Sequence, residues 1–243
     1  MGQRRAGPMG QRRAGPVGNS LVDDAVLAAL LGRLHAASDA QDAAIDAYYA
    51  AGAERPSGYE DESSPGRGFW RDKYVALERD KAELCYSLCR AMGARRVVEA
   101  GTSFGVSTLY LAAAVRDNGG GLVTTCDIEP GKAAVAQAHF AEAGLSSYVD
   151  VRVGDIRTTL GGFDESIDVV LLDIWAPVAG DVIALVGPSV RLGGLVLADN
   201  TTARRALYGG LFAYLDDPAT GFTTSTLPFA GGLELAVRTS PAT

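Results

Sequence analysis

Acidic and amide side chains stand at the ends of several apolar runs in this 243-residue chain. The runs have the length and composition of buried strands, and the carboxyl ends of parallel strands share one edge of a sheet. Because ligands bind at that edge in open α/β sheets, these side chains are candidates for binding and for acid–base chemistry. They are Glu99, Asp127, Asp155, Asp173, Asp199 and Asn200.

The first run leads into a glycine-rich turn, residues 101–105 (GTSFG), and then into an apolar helical pattern. A helix that starts at such a turn directs free N–H groups at a ligand and favours an anionic group there. Asp127 ends the second run 26 residues after Gly101, the position from which a carboxylate accepts the hydroxyls of an adenosine ribose. The turn lacks the third glycine of G-x-G-x-x-G, and the charge of Glu99 disfavours a pyrophosphate. This arrangement tolerates a cofactor with an amino acid moiety and a cationic sulfur.

Strand patterns alternate with helical patterns from residue 96 onward, which predicts a doubly wound α/β domain with a mostly parallel, seven-stranded sheet. The last two strands lack a long helix between them and are predicted to form an antiparallel hairpin at one edge. We expect strands near 96–100, 121–127, 148–152, 167–173, 193–199, 220–227 and 232–238, and helices near 104–116, 130–143, 156–161, 178–191 and 202–215.

Three regions are predicted along the chain. An octapeptide, MGQRRAGP, occurs twice in residues 1–16 and is too polar to bury a core, so residues 1–18 are expected to be a disordered tail. Helical periodicity in 21–53 and 71–92 predicts an N-terminal helical extension or lid over residues 19–92. The α/β domain is expected to cover residues 93–243.

Composition excludes several classes of function. The formal charge is −7 and the sequence pI is about 4.9, which argues against nucleic acid or an anionic membrane as a partner. The sequence has no apolar run of 18 residues, so no membrane span is expected. The three cysteines, Cys85, Cys89 and Cys126, lie in apolar patterns, and we expect them to be reduced core residues of a cytoplasmic protein.

Residues 98–108 (VEAGTSFGVST) resemble motif I of the class I S-adenosylmethionine-dependent methyltransferases, in the form found in catechol and caffeoyl-CoA O-methyltransferase-like families. Later segments agree with the same families in order and spacing over about residues 70–238. They are 125–130 (TCDIEP), 153–155 (VGD), 170–175 (VLLDIW) and 193–200 (GGLVLADN). The resemblance implies a Rossmann-like methyltransferase fold, a small hydroxylated acceptor and, since dimers are common among these proteins, a homodimer.

The resemblance also implies a set of cofactor-binding residues. The methionine portion of S-adenosylmethionine would lie against Glu99, Gly101 and Thr102, with its amino and carboxyl groups on Ser103 and Ser107. Asp127 would bind the ribose hydroxyls next to Ile128. The adenine would be framed by Gly154, Asp155 and Ile156.

Three residues match the family's protein ligands for a divalent metal, usually Mg²⁺: Asp173, Asp199 and Asn200. An oxygen-only donor set with open positions suits such a metal, and a metal-bound hydroxyl loses its proton more easily. Trp175 matches a tryptophan of the catechol-type members. Glu234, in a "G-L-E" segment, either matches a glutamate that contacts the substrate or is a solvent-facing residue of an edge strand.

One departure from the family leaves the chemistry open. Catechol-type members carry a lysine general base directly after the tryptophan, and this chain has Ala176 there. The first alternative is therefore a metal-independent N-, C- or O-methyltransferase with Asp173 as the base. An NAD-type oxidoreductase and a non-catalytic binding protein are more remote alternatives. The aromatic residues Tyr48, Tyr49, Tyr59, Trp70 and Tyr74 either pack in a core or dimer contact, or form a lid over an aromatic substrate.

Overall fold

The computed structural model describes residues 24–51, 67–161, 163, 166–203 and 205–241. The expected tail at residues 1–18 and Tyr59 lie outside the described residues. A seven-stranded sheet forms the centre, with the order β3-β2-β1-β4-β5-β7-β6. Its strands are β1 (Arg96–Ala100), β2 (Leu122–Asp127), β3 (Val149–Val153), β4 (Ile167–Leu172), β5 (Val190–Asp199), β6 (Phe222–Leu227) and β7 (Leu233–Arg238).

Strands β1 to β5 pair in parallel, whereas β7 pairs antiparallel with both β5 and β6. The sequence order doubles back at β1, between β2 and β4, so the carboxyl ends of these three strands flank the crevice in which open α/β sheets bind ligands. The predicted mostly parallel sheet with an antiparallel hairpin at one edge is confirmed.

Nine α-helices occur in the described part of the chain. Those before the sheet are α1 (Ala25–Asp39), α2 (Asp42–Ala50), α3 (Arg67–Trp70) and α4 (Arg79–Met92). Those between and after the strands are α5 (Val106–Asp117), α6 (Pro130–Glu142), α7 (Ile156–Thr159), α8 (Ala179–Val186) and α9 (Gly209–Leu215). In the described ranges no helix is long and apolar enough to cross a membrane.

Alternate residues of the central strands face two apolar layers, as the period of two in a strand requires. Val97, Val169 and Leu197 pack against α1, α4 and α5 on one side of the sheet. Val98 and Val170 pack against α8 and α9 on the other side. Helices α1 and α4 thus share one core with the sheet, which fixes the N-terminal region next to the carboxyl ends of the strands.

Two helix predictions overestimate the length. The helix expected at 178–191 ends at Val186, because Pro188 lacks an N–H donor and cannot continue it. The chain then enters β5 at Val190, three residues before the expected start. The helix expected from residue 202 starts only at Gly209. The three cysteines are buried and free, as expected.

Candidate active site

A cavity of about 400 Å³ lies at the carboxyl edge of the sheet. The residues that follow β1, β2, β3, β4 and β5 all reach it. Of the side chains and turns predicted from the sequence, twelve line this cavity: Gly101, Thr102, Ser103, Ser107, Asp127, Ile128, Gly154, Asp155, Ile156, Asp173, Trp175 and Asn200. Glu99, Asp199 and Glu234 do not.

The glycines of the first turn are required by close packing. A side chain on Gly101 (φ 103°) would collide with the backbone carbonyl oxygen of Asp173, where β1 and β4 end side by side. A side chain on Gly105 (φ 84°) would collide with the ring of Phe140 on α6. The turn therefore passes tightly between β4 and α6 and leads directly into α5, whose first turn lines the cavity.

Asp127 organises the cavity wall between the first two strands. One of its carboxylate oxygens accepts a hydrogen bond from the backbone N–H of Ser103 at 2.7 Å, and the other accepts from the N–H of Glu129 at 2.8 Å. Ser103 has a left-handed backbone (φ 46°), an uncommon conformation for a residue with a side chain that is found at ligand sites. The carboxylate therefore holds the turn in place and still faces the cavity.

Glu99 is fully buried behind the turn rather than facing the cavity, and in this respect the expectation of a direct contact with the cofactor is not met. Its carboxylate accepts hydrogen bonds from the hydroxyls of Ser107, Thr108 and Thr125 at 2.5–2.6 Å. Burial raises the pKa of Glu99, and the hydroxyls oppose that shift. Glu99 thus ties α5 to β1 and β2. Ser107 lines the cavity with its proton already donated, so its oxygen can accept from a ligand.

The segment after β3, residues 154–156, forms another part of the cavity wall. Asp155 caps α7 by accepting from the N–H of Arg157 at 2.9 Å, and its carboxylate also pairs with the Arg157 guanidinium at 2.6 Å. That hydrogen bond from the Arg157 side chain lowers the pKa of Asp155. Gly154 (φ 137°) lets the chain turn away from β3. Together with Ile156, these residues line the cavity next to Asp127.

Asp173 faces the cavity directly after β4. Its backbone N–H donates to the carbonyl of Ala100 at 3.0 Å, which fixes it beside Gly101. In the part of the chain that the structure describes, no group donates a hydrogen bond to its carboxylate. Burial, together with the charges of Asp199, Glu78 and Glu99, raises the pKa of Asp173 well above its usual range. In its ionised form such a carboxyl is a stronger base than an ordinary aspartate.

Asp199 is buried behind the cavity and forms an ion pair with Lys81 of α4. The Lys81 side chain is fully buried, and its ammonium also pairs with Glu78 at 2.9 Å. Burial lowers the pKa of Lys81, but Asp199 and Glu78 outweigh it, so the pKa is raised and the amine is charged at neutral pH. Burial raises the pKa of Asp199 to about 6, although the charge of Lys81 opposes this shift.

Asn200 lines the cavity in a left-handed backbone conformation (φ 58°). Its side-chain nitrogen donates to the second carboxylate oxygen of Asp199 at 2.6 Å, so an N–H group rather than an oxygen faces that acid. Both oxygens of Asp199 are therefore occupied by protein donors. Within the described ranges no group of three His, Cys, Asp or Glu side chains is placed to hold a metal. The predicted ligands Asp173, Asp199 and Asn200 do not fit a divalent metal in this arrangement.

Aromatic rings form the outer part of the cavity wall. Trp175 meets Trp70 edge to face, with ring centroids 5.9 Å apart. Tyr74 stacks on Phe104 at 3.8 Å. Tyr48 and Tyr49 lie behind Trp70 in the same aromatic cluster and do not line the cavity. The N-terminal region therefore contributes both packing and cavity wall.

Glu234 does not line the cavity, and the interpretation as a solvent-facing residue of an edge strand is wrong; the contact with the substrate stays a prediction. Glu234 lies on β7 opposite Ala198, is 2% exposed, and accepts a hydrogen bond from Thr226 of β6 at 2.6 Å. β7 is an inner strand of the sheet, paired on both sides. β7 begins opposite Asp199, so Glu234 lies near the carboxyl end of β5, but its side chain is buried between strands rather than in the cavity wall.

Several residues of the site were not predicted from the sequence. Lys81 carried a signal, because it lies within the apolar stripe of α4, between Leu77 and Leu84, where a lysine needs a buried acidic partner. No sequence pattern indicated a role for Lys132, which lines the cavity near Asp127. Burial lowers the pKa of Lys132, and the nearby acids oppose this shift.

Comparison with known proteins agrees with this architecture. A family described as a methyltransferase domain matches residues 98–201. A protein of Mycolicibacterium smegmatis named "Putative O-methyltransferase" is 35% identical over 124 residues, which cover 44% of this chain and 57% of that protein. A protein of the same name from Mycolicibacterium vanbaalenii is 38% identical over 136 residues, covering 53% of this chain and 54% of the relative. The chain thus spans about half the length of the curated relatives it matches.

Solved structures share the fold. The structure of a "putative O-methyltransferase" from Klebsiella pneumoniae aligns with a TM-score of 0.64 at 18% identity. The alignment covers 89% of this chain and 91% of the Klebsiella chain. The Streptomyces achromogenes O-methyltransferase of tomaymycin synthesis, solved with S-adenosylmethionine, aligns with a TM-score of 0.60 at 23% identity. That alignment covers 81% of this chain and 96% of the neighbour. The Rossmann-like methyltransferase fold predicted from the sequence is confirmed.

Proposed function

We propose that this chain is an S-adenosylmethionine-dependent O-methyltransferase acting on a small aromatic acceptor; the match of residues 98–201 to a methyltransferase domain supports this. One observation carries the proposal. The turn at 101–105, Asp127 and Asp173 surround a single cavity at the point where the strand order reverses. The names of the relatives support oxygen as the accepting atom.

The donor set of the cavity suits this cofactor. S-adenosylmethionine, when bound, supplies a methyl group on a cationic sulfur. Asp127 would accept the ribose hydroxyls, with Ile128 beside them, and the segment 154–156 would lie against the adenine. Ser103 and Ser107 would bind the amino acid moiety beside Gly101 and Thr102. The negative charge of Glu99, buried directly behind the turn, favours a cationic cofactor over one with a pyrophosphate.

Asp173 is the proposed proton acceptor. Its carboxylate faces the cavity beside Gly101 and has no hydrogen-bond donor among the described residues. An acceptor hydroxyl placed there would pass its proton to a carboxylate oxygen of Asp173 while its own oxygen bonds to the methyl carbon; the carbon–sulfur bond would break and S-adenosylhomocysteine would leave with the electron pair. Ala176 lines the same wall without an ionisable group, so the position after Trp175 supplies no lysine for this role. Positioning of the two reactants then supplies most of the remaining acceleration.

The wall opposite the turn favours an aromatic acceptor. Trp70, Trp175 and Tyr74 offer ring faces and edges, which pair favourably with another ring in offset or edge-to-face contact. Mg²⁺ is not part of this proposal, because Asp199 is already paired with Lys81. The homodimer, the cytoplasmic location and the division at residues 18 and 92 remain predictions from the sequence.

The function is tested by methyl transfer to a panel of phenols and matched aliphatic alcohols. We expect radiolabelled methyl from S-adenosylmethionine to appear on phenols, with kcat/KM at least about tenfold higher than for alcohols of similar size, because each ring contact contributes about 0.5–1.5 kcal/mol. Equal rates on the alcohols would contradict the aromatic acceptor. Methyl transfer to no hydroxyl compound, with transfer to amines instead, would contradict the O-methyltransferase assignment.

A further inference from the structure

The cation next to Asp199 is a side chain of the protein. The ammonium of Lys81 pairs with Asp199 and lies 2.9 Å from a carboxylate oxygen of Glu78. Glu78 and Lys81 lie three residues apart, at the start of α4. β5 supplies Asp199 from the far side. α4 packs on α5 in the main core, so the lysine is fixed in position and does not reach Asp199 from a mobile segment.

The second oxygen of Asp199 is also committed. Asn200 donates its side-chain N–H to that oxygen at 2.6 Å. The opposite orientation of the amide would bring two oxygens to this distance, which is repulsive, so the nitrogen belongs there. A metal at Asp199 would have to displace an ammonium from one oxygen or rotate the amide away from the other. Amide nitrogens carry no lone pair for a hard cation.

The lysine is the best placed group in the described chain to neutralise this acidic cluster. The charges of Asp199 and Glu78 raise the pKa of Asp173, and the positive charge of Lys81 opposes this effect. A buried lysine is retained only where acids compensate its desolvation. Because Lys81 is 0% exposed, solvent cannot do so.

We propose that the Lys81 ammonium, held between Asp199 and Glu78, takes the place of the divalent cation that the resemblance implies, so that this site neither binds nor requires a metal. This inference rests on the proposed function, which identifies the cavity as the place of methyl transfer. Lys81 is then a positioning residue. It fixes Asp199 and, through Asp199, the orientation of Asn200 in the cavity wall.

Direct metal binding tests the proposal, with Mn²⁺ as the probe and electron paramagnetic resonance of free Mn²⁺ as the readout. We expect the wild-type protein, with and without saturating S-adenosylhomocysteine, to bind Mn²⁺ no more tightly than about 1 mM. Lys81→Ala frees the two carboxylates of Asp199 and Glu78, close to that of Asp173, and should bind Mn²⁺ at least about tenfold more tightly. Arg33→Ala, which removes an exposed ion pair with Glu142, should behave as wild type.

A matched double variant, Lys81→Ala with Asp199→Asn, removes both charges of the pair and should lose the gained Mn²⁺ affinity. If Lys81→Ala alone fails to fold, the wild-type protein decides the question. It should bind Mn²⁺ no more tightly than about 1 mM, and its thermal midpoint should not change when Mn²⁺ is added. Tight Mn²⁺ binding by the wild type would overturn the proposal, as would a folded Lys81→Ala protein that gains no affinity. S-adenosylhomocysteine binding in the same samples is measured without metal, so failure of the proposed function is seen separately.

Discussion

Replacing Asp173 by asparagine should lower kcat for methyl transfer by about 1,000-fold while leaving the affinity for S-adenosylhomocysteine nearly unchanged. The amide keeps the size and shape of the side chain but cannot take a proton from the acceptor hydroxyl, and general base catalysis contributes about 100- to 10,000-fold. Since the carboxylate has no hydrogen-bond donor in the described chain, little native structure depends on it. Single-turnover methyl transfer and calorimetry with S-adenosylhomocysteine measure the two quantities.

Asp181→Asn is the matched control for this prediction. Asp181 is an exposed acid in the first turn of α8, eight positions after Asp173, and it does not line the cavity. The control variant should retain wild-type kcat. If Asp173→Asn retained most of the activity, the proton would have to leave by another route, and Asp173 would be no more than part of the wall.

Asp127→Ala should weaken binding of S-adenosylhomocysteine by about 100-fold, or about 2.8 kcal/mol. Two ribose hydroxyls would lose a charged acceptor, and hydrogen bonds to charged groups contribute about 1.5–3 kcal/mol each. The backbone N–H groups of Ser103 and Glu129 would lose the same acceptor, so the turn would loosen as well. Calorimetric titration measures the affinity directly.

Two variants separate the causes of that loss. Asp127→Asn keeps an acceptor oxygen for the turn and should show a smaller loss of affinity than the alanine variant. Asp150→Ala removes an exposed acid from the neighbouring strand β3 and should leave the affinity unchanged. Unchanged affinity in Asp127→Ala would refute the assignment of this residue to the ribose.

The sheet could be predicted from the sequence because its strands have an unambiguous pattern. Runs such as 169–172 are apolar throughout, as buried parallel strands are, and a polar residue stands at or just after each carboxyl end. The parallel pairing of the first five strands follows from the alternation of strands and helices. Helix ends were less predictable. The stop at Val186 depends on Pro188, and the late start of α9 at Gly209 follows a segment of irregular turns.

The cavity wall at the strand ends was predicted well for the same reason. A residue directly after a parallel strand must lie at the carboxyl edge, so Asp127, Asp173 and Asn200 could be placed without coordinates. The direction in which a side chain points could not. Glu99 lies one residue before Ala100, the last residue of β1, and its carboxylate turns into the hydroxyls of α5 and β2. The spacing of the motif residues does not determine the direction in which the Glu99 side chain points.

The environment of Asp199 depended on a contact distant in sequence. Lys81 and Asp199 are 118 residues apart, and only the packing of α4 on α5 brings them together. The sequence pattern of α4 indicated a buried acidic partner, because a lysine interrupts its apolar stripe. Glu234 was misplaced for a related reason. Its local sequence matches a family segment, but pairing of β7 with both β5 and β6 buries it within the sheet.

Calorimetric titration of the wild-type protein with S-adenosylhomocysteine, in buffer that contains EDTA, tests the central claim most directly. The cavity between the turn at 101–105, Asp127 and Asp173 should bind one molecule per chain, and NAD should give no binding under the same conditions. Binding of NAD without binding of S-adenosylhomocysteine would contradict the cofactor assignment. Binding of S-adenosylhomocysteine that disappears in EDTA and returns with Mg²⁺ would contradict the metal-free site.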